Sequence, residues 1–182
     1  FVAYAREQIL RLAEVPPMQQ TSPLPGVRRL EDGDEMRLME LYLAVTPRRV
    51  QWAEGQNIPL SWSSFVVRGN LRGEEIYVCE ENEGKGISAL LHISPGKTGH
   101  WLEIVVAPAS GVETDRLLEL GLERMSGWPR RPIYAGVREY QGGVLPALHA
   151  KGFEPYAHQA VMVKNTAVWV KDPLQARISA VE

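Results

Sequence analysis

The chain has 182 residues, 45% hydrophobic and 23% charged, with 20 Lys and Arg set against 22 Asp and Glu. This is the composition of a globular domain large enough to bury a core, and a net charge of −2 gives it no global field to draw it to nucleic acid or an anionic membrane. The single cysteine, Cys79, excludes an intrachain disulfide framework and a cysteine-built zinc cluster, and the four histidines lack close ligand spacing.

Cys79 lies in the apolar run Ile76-Tyr77-Val78-Cys79, which reads as a buried structural thiol. No stretch approaches the roughly 18 apolar residues of a membrane helix. Charges at Arg6, Glu7 and Arg11 break up any signal-peptide core, so the cytoplasm is the expected compartment and no membrane partner is expected.

The first residue is Phe1 rather than Met, and residues 1–12 echo residues 153–164. Phe, Tyr and Ala coincide, Glu7 faces Gln159, and Ile9-Leu10 faces Val161-Met162. Chance agreement of two amphipathic segments is one explanation. The other is that residues 1–14 are the terminal strand of an upstream copy of the domain that follows. The Pro-rich stretch 15–26 reads as an extended linker, residues 27–170 as the main domain, and residues 171–182 as a tail.

Val27–Leu30 is a short strand candidate. Asp32 with Glu35 forms a helix-start box, and Met36, Met39 and Leu43 are expected along one face of the helix that follows. Pro47 interrupts it, and a second short helix is expected at Arg48–Ala53. Glu75–Glu80, Gly86–Ile93 and His100–Ala107 are strand-like runs separated by Gly-bearing turns, as antiparallel hairpins require.

After Pro108 the hydrophobic period lengthens. Ser110–Glu113 forms another capping box, and Leu117, Leu118, Leu120, Leu122 and Met125 mark a helix stripe. Pro132–Val137 is strand-like. Gly143–Lys151 is a short helix with Pro146 in its first turn, stopped by Gly152. Phe153–Val163, a turn at 164–166, and Ala167–Val170 read as a terminal hairpin. The order β-α-α-β-β-β-α-β-α-β-β indicates an α/β (α+β) fold with a mixed, mostly antiparallel central sheet and helices on both faces.

With that order, Trp101-Leu102-Glu103-Ile104-Val105-Val106-Ala107-Pro108 before a helix and Ala150-Lys151-Gly152-Phe153 after one, the chain resembles the GNAT N-acetyltransferase superfamily over roughly residues 26–170. The resemblance implies acetyl-CoA as cosubstrate and a primary amine of a small molecule or peptide as acceptor; from the histidine spacing no metal is expected. The segment at residues 1–12 then looks like the ending of a preceding GNAT-like half, as in tandem proteins of this kind. An upstream GNAT-like domain, or a homodimer formed by strand pairing, is the expected macromolecular partner.

Carried over residue by residue, the resemblance places the cofactor along Val105, Val106 and Ala107 and at the loop residues Ser110, Gly111 and Val112. Gln141 stands where the superfamily frequently has Asn. The loop departs from the superfamily's pattern. It has one glycine and no basic residue, while Glu113 and Asp115 put negative charge where a pyrophosphate would sit. Carboxylates there serve a helix start equally well without any ligand.

The superfamily's usual acidic Tyr is replaced by Leu148. Tyr140 is the substitute acid candidate, with packing of its ring on the sheet as the alternative. Glu103, in an apolar strand, is the candidate base, with a carboxylate at the sheet rim as the alternative. Tyr42 and Trp52 fall in the region that often lines the acceptor pocket, and core packing explains them too. A GNAT-like half without catalysis, serving as a scaffold or binding module, is the competing function.

Overall fold

The computed structural model describes residues 1–15, 24–54, 73–81, 86–108, 110, 112 and 114–163. The strands are β1 (Val2–Leu12), β2 (Val27–Arg29), β3 (Glu75–Glu81), β4 (Gly86–Ser94), β5 (His100–Val106), β6 (Ile133–Arg138) and β7 (Glu154–Val163). The helices are α1 (Glu35–Val45), α2 (Arg48–Ala53), α3 (Thr114–Ser126) and α4 (Leu145–Ala150), with a 3-10 segment at Glu139–Val144. The expected strand at Ala167–Val170 and most of the expected linker lie outside the described residues. No helix among the described residues is long and apolar enough to cross a membrane.

All seven strands form one sheet in the order β2-β3-β4-β5-β6-β1-β7, antiparallel throughout except for the parallel pair β5–β6. Helices cover both faces, as the residue pattern implies. On one face Leu38, Leu41, Tyr42 and Val45 of α1 meet Val78, Leu90 and Val105. On the other, Leu117, Leu118, Leu122 and Met125 of α3 join Leu91, Leu102, Ile104, Leu148 and Phe153. Each burial follows the strand alternation, which sends Leu90 and Leu91 to opposite faces.

The N-terminal strand is part of this sheet. β1 runs antiparallel to β6, with Leu10 opposite Ala135, and antiparallel to β7, with Gln8 opposite His158. Both of its edges are therefore occupied within the chain, and among the described residues the end strands of the sheet are β2 and β7.

Local corrections follow from packing. The α1 face that is buried is Leu38-Leu41-Tyr42-Val45, whereas Met36 and Leu43 face solvent. The helix begins two residues later than the Asp32–Glu35 box suggests. Its N-cap is Asp34, whose carboxylate is taken by Arg28 at 2.7 and 2.9 Å and by the Glu31 N–H at 3.0 Å. An ion pair to β2 thus sets the start of the helix in place of a side-chain cap. Cys79 is half-buried rather than buried. Gly152 ends α4 with φ +85°, and the bonds Phe153 N–H to Leu148 O and Gly152 N–H to His149 O close the turn.

Gly121 sets how closely α3 lies on the sheet. A Cβ there would sit 3.1 Å from Leu91 Cδ1 and 3.2 Å from Leu102 Cδ1. Gly121→Val is expected to lower stability by about 1–3 kcal/mol even though valine favours helix over glycine. Gly127→Ala, where the added carbon meets nothing within 4 Å, should stay within about 0.5 kcal/mol of the parent. Urea midpoints of the two variants check both statements.

Candidate active site

The parallel pair is where the sheet opens. Pairing of β5 with β6 covers His100–Ile133, Trp101–Tyr134 and Leu102–Ala135 and then stops, although β5 continues to Val106 and β6 to Arg138. On its other side β5 stays paired with β4 as far as Ala89–Val106.

The direction of the free peptide groups follows from two bonds. His100 N–H reaches Pro132 O at 2.8 Å on the β6 side, and Ala107 N–H reaches Ser88 O at 2.8 Å on the β4 side. Alternation along the strand then turns the N–H and C=O groups of Ile104 and Val106 toward the opening. An extended amide-bearing ligand lying between β5 and β6 would meet them as a strand would.

Gly136 sits where the strands part. A Cβ there would lie 2.9 Å from Glu7 Oε1 and 3.0 Å from the Trp101 ring. The absent side chain lets the indole and the β1 carboxylate lie against β6 on the α1 side of the sheet.

Of the residues proposed from sequence, Glu103 is half-buried on β5, on the α1 face, directly across from His92 of β4. Burial holds the His92 imidazole below its usual pKa, against the opposing pull of Glu74 3.6 Å away. Val105 points into the α1-side core and Val106 is half-buried beside the α3-side core. Both therefore offer backbone, not side chains, to a ligand. Ala107 continues the strand by its bond to Ser88, and Gln141 is half-buried in the 3-10 segment.

Ser110 donates its N–H to Ala107 O at 3.2 Å, and its buried Oγ has no partner among the described residues. Val112 packs on the core, whereas Gly111 lies outside the described residues. A hydroxyl without a partner just before the N-terminus of α3 suits an anion, while Asp115 in the first turn of that helix opposes one. The donor set fits the amide-rich arm of an acyl-CoA along β5 and offers its phosphates little beyond Ser110 and the helix end.

The two residues expected at an acceptor pocket separate. Trp52 is 74% exposed, and Tyr42 is buried. Tyr42 belongs to a cluster that the sequence analysis did not single out. The Glu54 carboxylate, its side chain 8% exposed, accepts from Tyr42 Oη at 2.7 Å, Tyr4 Oη at 3.0 Å and Arg138 at 2.6 Å. Arg138 also donates to Tyr140 Oη at 3.0 Å. Residues from β1, α1, the end of α2, β6 and the 3-10 segment meet here, at the end of β6 beyond the opening.

Burial, helped by Glu54, pushes the Tyr4 phenol up to about 12 and raises that of Tyr42. Burial also raises Tyr140, with Arg138 pulling the other way. Glu54 follows α2 directly and shares no sequence pattern with its partners, which lie 12, 50 and 84 residues away. The available signal was compositional only, since packing was one explanation for Tyr42 and Tyr140 and nothing in the pattern tied either to Tyr4 or Glu54.

No protein-family model matches the sequence, and no curated protein matches it. Solved structures do match the fold. A protein described as a GNAT-family acetyltransferase from Novosphingobium aromaticivorans superposes with a TM-score of 0.54 at 14% identity, covering 86% of this chain and 63% of its own. The GCN5-related N-acetyltransferase of Sphaerobacter thermophilus gives 0.52 at 13% identity, covering 87% and 51%. A transcriptional regulator from Bacillus halodurans gives 0.54 at 16% identity, covering 76% of this chain and 98% of its own. The chain thus has the fold of GNAT acetyltransferases, and it spans less than two thirds of the length of the first two.

Glu54→Gln removes the charge that faces Arg138 and is expected to cost about 1.5–3 kcal/mol. It should also bring the Tyr4 phenol down from about 12 toward its ordinary value of 10.0, short of reaching it because burial, the larger cause, persists. A raised phenol contributes stability that is complete below about pH 10 and lost as pH rises through about 12. The parent protein should therefore lose stability across that window, and Glu54→Gln over a narrower one. Phenolate absorbance and urea midpoints against pH measure both.

Proposed function

We propose that this chain is an acyl-CoA-dependent N-acyltransferase that moves an acyl group, acetyl in the simplest case, to a primary amine. The observation that carries this reading is the parting of β5 from β6 after Leu102–Ala135, which leaves the Ile104 and Val106 peptide groups turned toward the gap. The likeness in fold to GNAT acetyltransferases supports it.

In this reading the cofactor's pantetheine arm lies in the opening as a short strand, with its thioester near Val106. The Val106 N–H donates to the thioester oxygen and gains strength as that oxygen becomes anionic. Glu103, on the α1 face, takes the proton of the incoming ammonium. The amine nitrogen then bonds to the carbonyl carbon, the C–S bond breaks with the electron pair leaving on sulfur, and the second nitrogen proton passes to that thiolate through water, giving the neutral amide and the free thiol. Tyr140 stays protonated and acts as a hydrogen-bond donor to the departing group. Ser110 and the N-terminus of α3 are the phosphate contacts.

A second reading, a GNAT-fold module without catalysis, is favoured by one observation, Asp115 in the first turn of α3. Calorimetric titration with acetyl-CoA separates the two. Micromolar binding, weaker for free pantetheine, supports the first, and no heat at millimolar ligand supports the second. If binding is found, Val106→Pro removes an N–H that the β4–β5 ladder does not use and should slow turnover about 100-fold or more. Glu103→Gln should slow it by a comparable factor while leaving acetyl-CoA affinity unchanged.

A further inference from the structure

A second concavity lies on the other side of β6 from the opening. It has a volume of about 420 Å³, within the range of small-molecule sites, and is walled by the end of β6, the 3-10 segment, the start of α4 and the strands β1 and β7. Val137, Leu145 and Ala160 form its apolar surface.

Its polar groups sort by whether they are already engaged. Arg138 is held by Glu54, Glu139 pairs with Arg49 at 2.7 Å, and Glu7 accepts from Gln159. The side chains of Arg6, Gln8 and His158 have no hydrogen-bond or ion-pair partner among the described residues. Register places these three together. Arg6 lies opposite Ala160 and Gln8 opposite His158, so all four share one face, and Arg6 and His158 are diagonal neighbours within reach of a common ligand.

Arg138 and Glu139 are neutralised by Glu54 and Arg49, while Glu7, bonded to the neutral Gln159, keeps its charge on the opposite face of β1; the groups left over on the face of Arg6 are a guanidinium, an imidazole and an amide. We propose that this cavity is a binding site for a small organic monocarboxylate with a compact apolar body. The carboxylate would be held by the guanidinium fork of Arg6 with His158 and Gln8, and the body would lie against Val137 and Leu145. The site is independent of the acyl-CoA opening, because it uses β1 and β7 and none of the β5 peptide groups.

The test is proton NMR titration of the whole chain with phenylacetate, following the His158 ring resonance, which is assigned by its loss in His158→Gln. A saturable shift is expected. Arg6→Gln should weaken it about tenfold or more, since a charge-assisted bond is removed. Gly142→Leu should abolish it, because Gly142 lines the cavity and a Cβ there meets nothing within 4 Å, so the side chain can fill the space without disturbing the fold. Phenethylamine, with a matching body and opposite charge, should give no saturable shift.

The proposal is overturned if phenylacetate gives no saturable shift up to about 50 mM, a concentration at which even a weak specific site would be occupied. It is also overturned if Arg6→Gln and Gly142→Leu both leave the shift as it is, or if inorganic phosphate binds as tightly as phenylacetate.

Discussion

The sheet depends on one strand that arrives from far away in sequence. β6 and β7 are joined through the 3-10 segment and α4, and they run in the same direction because β1 is antiparallel to both. A helical crossover returns the chain one strand position beyond its neighbour. The gap must be filled by an element that bonds on both edges. β1 does this with Leu10 and Leu12 in the α3-side core and Ile9 on the opposite face. Without it, β6 and β7 would each expose a row of unpaired peptide groups, and β7 would be left without any sheet neighbour among the described residues.

The same strand reaches the candidate active site. Tyr4 and Glu7 lie on β1, one bonded to Glu54 and the other pressed over Gly136 where β5 and β6 part. The opening itself follows from the parallel junction β5–β6, the only one among the described residues. Parallel bonds are slanted and need both strands to keep step, so two strands tied to different neighbours can diverge once one of them is pulled aside. β5 stays in register with β4 through Val106, while β6 stays in register with β1 through Arg138. Each strand keeps its outer partner, and the space opens between them. Order in β1 is thus a condition for the cleft as well as for the edge of the sheet.

Most of this frame was legible in the sequence because short-range chemistry fixes it. The alternation in Gly86–Ile93 and His100–Ala107, the stripe at Leu117–Met125 and the Gly152 stop each depend on neighbours within a few residues. Helix α1 shows where that logic fails. Met36, Met39 and Leu43 and the stripe Leu38-Leu41-Tyr42-Val45 are both compatible with a helix, and the choice is made by the sheet it meets and by Arg28, which anchors Asp34. The site was legible as backbone and not as side chains. β5 could be found from its pattern, whereas Glu54 gathers partners from elements that no local spacing connects.

That gathering bears on proton flow in the acyltransferase reading. A thiol leaving group has an ordinary pKa of about 8.5 and a phenol about 10, so proton transfer from tyrosine to a thiolate is uphill even without perturbation. Burial lifts Tyr140 further, and Arg138 only partly offsets it. Tyr140 thus keeps its proton through the physiological range and can steady negative charge by a hydrogen bond without giving the proton up. On the other side of β5, His92 is held neutral by burial opposite Glu103. In that reading proton acceptance falls to the α1 face of β5 and hydrogen-bond donation to the end of β6, and sulfur would depart as a thiolate that receives the second amine proton through water rather than the proton of Tyr140.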